Sequence, residues 1–249
     1  TFPNHEANPL EAENREDLKE LLLEKGSDLG LIFDGDGDRV MFLDEKGQFI
    51  SPDLIIALLA EYYINQGAGK NVLYDIRTSW SVKEHIEELG GKTHMWKVGH
   101  AYAKLKLREI DGICGGELAG HYYYKDFFYC DSGMLTALVV LNVVARLKKE
   151  GKTISEYIAE LDKYATSGEV NFKIENKKEV MEKLKDYFFA QRKPEEFYDF
   201  DGYRLEYKDW WFNVRPSNTE PYLRLVVEAR TQELLDEKLT EIRKVMDVD

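Results

Sequence analysis

The sequence predicts a layered α/β protein with a smaller α+β domain at its C-terminal end. Two patterns carry that expectation. Between residues 51 and 149, strand-length apolar runs alternate with helix-length amphipathic segments, which favours a largely parallel sheet. After Tyr164 the strand-like segments follow one another closely, with only two helical stretches among them. A third observation concerns residues 1–49, which hold one helix and two strands. That is too little for a domain and reads as the end of an α/β unit.

Residues 1–9, rich in Pro and Asn, read as a loop. Asn14 is expected to cap a helix with Leu18, Leu21 and Leu22 on one face and Gly26 as its stop. Residues 29–33 form an apolar strand ending in an acidic, glycine-rich turn, and 39–43 a return strand. Ser51-Pro52 then supplies a cap and a first-turn proline. Helix 54–65, strand 71–74, helix 82–89, strand 93–96, helix 101–109, strand 112–114 and a long helix from Ser132 to about Lys149 follow. Ser81 with Glu84, and Thr153 with Glu156, have capping-box spacing. In the last part, strands are expected at 170–174, 203–207, 210–214 and 222–229, with helices at 179–189 and 232–246. Asp201-Gly202 signals a turn, and a boundary is placed near residues 166–169.

Composition narrows the function. The chain has 249 residues, 43% hydrophobic and 12% aromatic, enough for real cores and too much for wholesale disorder. Its formal charge of −13 argues against non-specific nucleic-acid binding. The longest uncharged run is 14 residues, 132–145, too short to span a bilayer. Neither a signal peptide nor a fixed-period repeat is visible, and the start at Thr1 is read as that of a processed, cleaved or engineered fragment. Cys114 and Cys130 fit no metal spacing and read as reduced thiols of a cytoplasmic protein.

Three segments carry chemistry. In Asp34-Gly35-Asp36-Gly37-Asp38-Arg39, alternate carboxylates can converge on one hard cation while glycines let the loop curl. Mg²⁺ suits such a set, and Arg39 beside it can hold a phosphate. An EF-hand loop also places aspartates at positions 1, 3 and 5, with Glu45 at 12. Its position 6, however, needs Gly where Arg39 stands, and a strand rather than a helix precedes it. An aspartyl-phosphatase loop, with Asp34 as nucleophile and Asp36 as acid/base, is the other rival. A solvated acidic turn is the bland alternative.

In Gly115-Gly116-Glu117-Leu118-Ala119-Gly120-His121, glycines after a strand expose Glu117 and His121 in one loop. A carboxylate there accepts from sugar hydroxyls, and an imidazole donates to oxygen or moves a proton. A structural loop remains the competing reading. The aromatic run 122–124 and 127–129 could stack on a ligand, but its strand spacing reads mostly as core. In Arg215-Pro216-Ser217-Asn218-Thr219-Glu220-Pro221, one guanidinium, two hydroxyls and an amide on a proline-limited turn make an anion cradle, or a plain turn. Arg77 and His100 lie where strand ends meet loops, the usual ligand edge of an open α/β sheet. His5, His85 and His94 show no ligand spacing.

Taken together and in order, these segments resemble the α-D-phosphohexomutases, the phosphomannomutase/phosphoglucomutase family, whose members place four domains around a cleft. Asp-Gly-Asp-Gly-Asp-Arg is similar to the metal loop of domain 2. Gly-Glu-x-x-Gly-His is similar to the sugar-specificity loop of domain 3, and Arg-x-Ser-Asn-Thr to the phosphate-binding loop of domain 4. The resemblance covers essentially the whole chain and implies that residues 1–49 end domain 2, 50–166 form domain 3 and 167–249 form domain 4. The tyrosine-rich stretch 115–133 is closer to bacterial phosphomannomutases than to phosphoglucosamine mutases.

The resemblance further implies roles. Asp34, Asp36 and Asp38 correspond to Mg²⁺ ligands, and Arg39 to the arginine beside a phosphoserine. Arg77 falls where a basic residue lies near the reacting phosphate, and His100 at a position proposed for proton transfer. Glu117, Ala119 and His121 belong to the sugar loop, Glu117 reading the 3- and 4-hydroxyls. Arg215, Ser217, Asn218 and Thr219 hold the non-reacting phosphate. The implied reaction interconverts hexose 6-phosphate and 1-phosphate, mannose and for many relatives glucose, through a hexose 1,6-bisphosphate. The implied partners are a phosphosugar and the N-terminal domains of the same chain, with no nucleic acid and no membrane.

Two departures stand out. Ala119 replaces a common Ser, which removes one hydroxyl contact to the sugar. No segment resembles the family's phosphoserine loop, so domain 1 and the start of domain 2 are expected upstream of Thr1, and these residues alone are expected not to turn over. A non-catalytic phosphosugar-binding module is the main alternative.

Overall fold

The computed structural model describes residues 2–217 and 221–248, and the chain divides into two compact units, Thr1–Asp162 and Lys163–Asp249. In the first unit a 3-10 turn, Ala12–Arg15, leads into α1 (Glu16–Lys25), which Gly26 ends at φ 61°. Asn14 is not its cap. It is buried in the 3-10 turn, where its amide donates to the Asn8 carbonyl at 2.8 Å. Leu22 is buried but Leu21 is 53% exposed, so the expected apolar face is narrower than its spacing implied. Strands β1 (Leu29–Phe33), β2 (Val40–Asp44) and β3 (Phe49–Ile50) form an antiparallel sheet, with the acidic turn between β1 and β2.

Helix α2 (Pro52–Asn65) is apolar enough that residues 52–60 are all buried, as a helix covered on several sides must be. The Ser51 hydroxyl donates to Asp53 instead of capping this helix. Then come β4 (Asn71–Asp75), α3 (Trp80–Glu88), β5 (Lys92–Trp96), α4 (His100–Glu109) and β6 (Cys114–Gly116). Strands β7 (Tyr122–Tyr124) and β8 (Cys130–Asp131) precede α5 (Gly133–Lys149) and α6 (Ile154–Leu161). Ser79, not Ser81, caps α3, its hydroxyl accepting from the Ser81 N–H. The Thr153–Glu156 capping box is present.

The second sheet of this unit runs β5-β4-β6-β7-β8. It is mixed rather than largely parallel: β4 pairs parallel with β5 and β6, while β6–β7 and β7–β8 are antiparallel. The reason is local. Only residues 117–121 separate β6 from β7, far too few for the crossover that a parallel return needs. Tyr122, Tyr123 and Tyr124 are core, but Phe128 is 79% exposed, so the aromatic run is only half interior. The core joins β2, β4, β6 and β7 to α2 and α5 through Phe42, Ile55, Val72, Cys114, Tyr122 and Val140.

In the second unit, β9 (Ala165–Thr166), β10 (Val170–Lys173), α7 (Lys177–Gln191), β11 (Glu196–Tyr198), β12 (Tyr203–Glu206), β13 (Trp210–Pro216), β14 (Tyr222–Ala229) and α8 (Gln232–Met246) follow. All the strands pair antiparallel, and the two short ones, β9 and β11, gave no sequence signal. Leu205, Phe212, Leu225 and Val227 pack with Leu184, Phe188 and Ile242 of the two helices. Alternate residues of the same strands, Arg204, Glu206, Trp211, Asn213, Arg215 and Glu228, are polar or amphipathic and also buried. Both cysteines are free thiols, and no helix among the described residues is long and apolar enough to cross a membrane.

Candidate functional site

The acidic turn leaves β1 at Phe33 and returns at Val40. One carboxylate oxygen from each of Asp34, Asp36 and Asp38 lies within 4.8 Å of the others. Asp34 organises the turn: its Oδ1 accepts from the backbone N–H of Gly37 and of Arg39, both at 3.1 Å. Its Oδ2 accepts from Arg39 Nε at 2.8 Å, and the side chain is only 4% exposed. A carboxylate so engaged and enclosed is not placed as a nucleophile. The strand before the loop likewise departs from the helix that an EF-hand requires.

The β6–β7 turn is built against this loop. Arg39 and His121 form an antiparallel bridge, and the Val40 N–H donates to the Gly120 carbonyl at 3.3 Å. Gly120 has φ +87°, a backbone conformation that strains any L side chain, and a Cβ there would also displace the tip of Met41, 2.3 Å away. Gly133 plays the same part from α5: a Cβ on it would lie 2.7 Å from the Gly37 carbonyl oxygen.

Glu117 is not exposed, as its glycine-rich setting suggested. It is 2% accessible. Its Oε1 accepts from the Tyr123 hydroxyl at 2.5 Å and its Oε2 from the Gly99 N–H at 3.1 Å. Burial, then the nearby Asp75, pushes the Glu117 carboxyl above its ordinary value, against the Tyr123 hydrogen bond. Asp75 ends β4, and its carboxyl is held below its ordinary value: burial opposes this, but Arg77 outweighs it through charge and hydrogen bonds. Arg77 Nη2 donates to Asp75 Oδ2 at 2.6 Å, and the Leu118 N–H donates to the same oxygen at 2.8 Å. Arg77 is therefore tied to the Glu117 turn through one buried carboxylate. His100, the first residue of α4, stacks its ring on that of His121 at 5.9 Å.

Thus the first unit brings Asp34, Asp36, Asp38, Arg39, Arg77, His100, Glu117, Ala119 and His121 into one region, at the C-terminal ends of β4, β5 and β6. That is where open α/β sheets bind ligands. Two participants carried no sequence signal, Lys104 and Asp131, and a third, Tyr123, read mostly as core. Asp131 accepts from His121 Nδ1 at 2.9 Å and pairs with Lys104 at 2.8 Å. Those two bonds hold its carboxyl well below the usual range despite burial.

In the second unit Arg215 and Ser217 stand at the end of β13, both buried, and Asn218 and Thr219 lie outside the described residues. Arg215 Nε reaches Asp201 Oδ1 at 3.4 Å. Gly202, at φ +70°, lies so close that a Cβ would meet the Val214 carbonyl at 2.2 Å, which explains the Asp-Gly turn read from the sequence.

Three family descriptions match in order. "Phosphoglucomutase/phosphomannomutase, alpha/beta/alpha domain II" covers residues 1–47, domain III of the same family 51–164 and its C-terminal domain 169–245. The chain belongs to the phosphoglucomutase/phosphomannomutase family. It is 37% identical over 245 residues to a phosphomannomutase of Methanocaldococcus jannaschii, covering 98% of this chain and 53% of that protein. The crystal structure of a phosphoglucomutase/phosphomannomutase family protein from Burkholderia thailandensis superposes with TM-score 0.85 at 31% identity, over 98% of this chain and 52% of that one. An N-acetylphosphoglucosamine mutase from Aspergillus fumigatus, solved in complex with GlcNAc-6P and magnesium, shares the fold at TM-score 0.61 and 15% identity, over 86% of this chain and 48% of that one. The chain spans about half the length of the curated relatives it matches.

The donor set of this phosphoglucomutase/phosphomannomutase chain fits a hard divalent cation. All three groups are carboxylates, and their mutual distances allow one ion to touch one oxygen of each. Burial, then the charges of Asp34, Asp36 and Asp131, pushes the Asp38 carboxyl above its ordinary value, with His121 opposing. Asp34 is held below it, since the hydrogen bonds and charge of Arg39 outweigh burial. Asp36 is exposed and Asp38 half-exposed, so these two have the oxygens most open to an ion.

Proposed function

We propose that this chain carries the cation, sugar and distal-phosphate sites of a phosphohexomutase. The reaction interconverts hexose 6-phosphate and 1-phosphate, mannose foremost, through a 1,6-bisphosphate. The observation that carries this reading is the bridge between Arg39 and His121, which fastens the carboxylate loop to the Glu117 turn. An anion-and-cation loop joined to a hydroxyl-reading turn is what a phosphosugar requires.

Glu117, fixed by Tyr123 and Gly99, accepts from sugar hydroxyls with lone pairs left over from those two bonds. Arg39 and Arg77 supply guanidinium charge near the phosphoryl group being moved, and both are pre-oriented by aspartates. His100 and His121 are the groups able to hold or pass the hydroxyl proton. Arg215 and Ser217, with Asn218 and Thr219, grip the phosphate that is not reacting. Asp34, Asp36 and Asp38 would hold Mg²⁺, which supplies positive charge against the phosphoryl oxygens.

Calorimetric titration of mannose 1-phosphate and mannose 6-phosphate into the chain, with Mg²⁺ present, tests the reading. Saturable binding is expected, and Arg215→Ala is expected to weaken it by about 10–100-fold, the loss of a charge-assisted bidentate contact. Absence of binding, or equal binding by the variant, would remove the phosphosugar reading. A marked preference for Ca²⁺ over Mg²⁺ without phosphosugar binding would favour a calcium-binding loop of the EF-hand kind instead.

A further inference from the structure

We infer that Asp131, anchored by Lys104, is a positioning residue that draws the His121 imidazole away from the carboxylate loop and keeps Asp38 available to a cation. The inference rests on the reading of Asp34, Asp36 and Asp38 as the cation site.

His121 Nδ1 has two carboxylates near it. Asp131 Oδ2 lies at 2.9 Å, a hydrogen bond, and Asp38 Oδ2 at 3.7 Å, beyond one. An imidazole nitrogen carries one proton and donates it along one line, so the two aspartates compete for it. Asp131 holds the advantage through its setting. Its other oxygen pairs with Lys104 Nζ at 2.8 Å, and its backbone is registered opposite Tyr123 in the β7–β8 ladder. Its side chain is 7% exposed, against 39% for Asp38, so water competes less for it.

The ring has little freedom to choose otherwise. His100 lies at 5.9 Å and 27° from it, and Tyr123 at 6.3 Å and 17°, both near-parallel. Lys104 sits one helical turn beyond His100 and approaches His100 Nδ1 at 3.4 Å, so one lysine ties the carboxylate to the α4 terminus. With the Nδ1 proton given to Asp131, Asp38 keeps both oxygens free of the imidazole. Without Asp131, closing the gap from 3.7 to 2.9 Å, a movement of about 0.8 Å, would put the imidazole on Asp38 and set it against the ion.

Two readouts on the whole 249-residue chain decide this. Imidazole ¹⁵N NMR of the neutral form, with His121 identified by its disappearance in His121→Gln, is expected to show the proton on Nδ1. A proton on Nε2 would overturn the inference whatever the metal does. Mn²⁺ binding, followed by electron paramagnetic resonance, is expected to weaken about tenfold in Asp131→Ala, the usual scale for losing an outer partner. The double variant Asp131→Ala/His121→Ala is expected to recover most of that loss, because no imidazole remains to occupy Asp38. Equal weakening in the double variant would mean that Asp131 acts only through its charge, and unchanged affinity in the single variant that it does not act at all. Either result overturns the inference while leaving the cation site standing. Failure of the wild-type chain to bind Mn²⁺ would remove the cation reading, and this inference with it.

Discussion

Glu61 and Asp38 sit in the same unit, each among charged neighbours, and are driven in opposite directions. Around Glu61 on α2, donors converge from three other helices: His85 Nε2 at 3.1 Å, Tyr157 Oη at 2.6 Å and Arg146 Nη2 at 3.1 Å. The His85 hydrogen bond above all, with those from Tyr157 and Arg146, pulls its pKa down to about 2 against the effect of burial. Around Asp38 the balance inverts. Burial and three neighbouring carboxylates push it up, and only His121 opposes. A carboxylate outnumbered by its donors ties elements together. Carboxylates that outnumber their donors repel one another, a cost that a bound cation would relieve.

The largest effect is expected at the satisfied cluster. Glu61→Gln should cost up to about 3 kcal/mol at neutral pH, the scale of the shift from 4.5 to about 2. Because the folded value lies below the unfolded one, that contribution is complete above pH 4.5 and disappears as pH falls toward 2. Guanidinium unfolding of wild type and variant at pH 7 and at pH 3 checks this. The gap should shrink at the lower pH, and an equal gap at both would show that packing, not charge, makes the cluster.

Next in size is Gly133→Ala. The added Cβ would press on the Gly37 carbonyl at 2.7 Å, a backbone atom that cannot rotate away. A cost of about 2 kcal/mol is expected, together with weaker cation binding, since the acidic loop itself must move. A thermal melt with and without Mg²⁺ reads both, and a variant melting like wild type would show that the loop yields freely.

The smallest effect has the opposite sign. Asp38→Asn relieves repulsion among carboxylates, so without metal the variant should be as stable as wild type or gain less than about 1 kcal/mol, water already screening this half-exposed group. The sign follows from the raised folded pKa: the charged form is the disfavoured one, so any gain is present at neutral pH and fades as pH falls through the carboxylate range. Urea unfolding at pH 7 checks it, and a clear destabilisation would mean that Asp38 is a structural acceptor.

What the sequence showed and what it concealed divide along local and distant causes. Gly26, Pro52, the Thr153–Glu156 box and the acidic turn are local signals, and each appears where its residues placed it. Asn14 and Ser81 carried the right chemistry for caps but were displaced by two residues or less, because a 3-10 turn and Ser79 came first. The antiparallel return of β7 was readable in principle, since five residues cannot make a crossover. Asp131, Lys104 and Tyr123 were not: they meet His121 and Glu117 through pairing of β7 with β8 and packing of α4, relations with no spacing signature. Glu117 showed its chemistry but not its burial, which depends on Gly99, just before α4, and Asp75, at the end of β4, reaching the turn.

The most direct measurement is calorimetric titration of Mg²⁺ into wild type, Asp38→Asn and Glu61→Gln, at a temperature where all three are folded. One saturable site is expected in wild type and in Glu61→Gln, and its loss in Asp38→Asn. Equal binding by wild type and Asp38→Asn, or none by wild type, would contradict the assignment of the 34–38 loop as the place where this fold holds its cation.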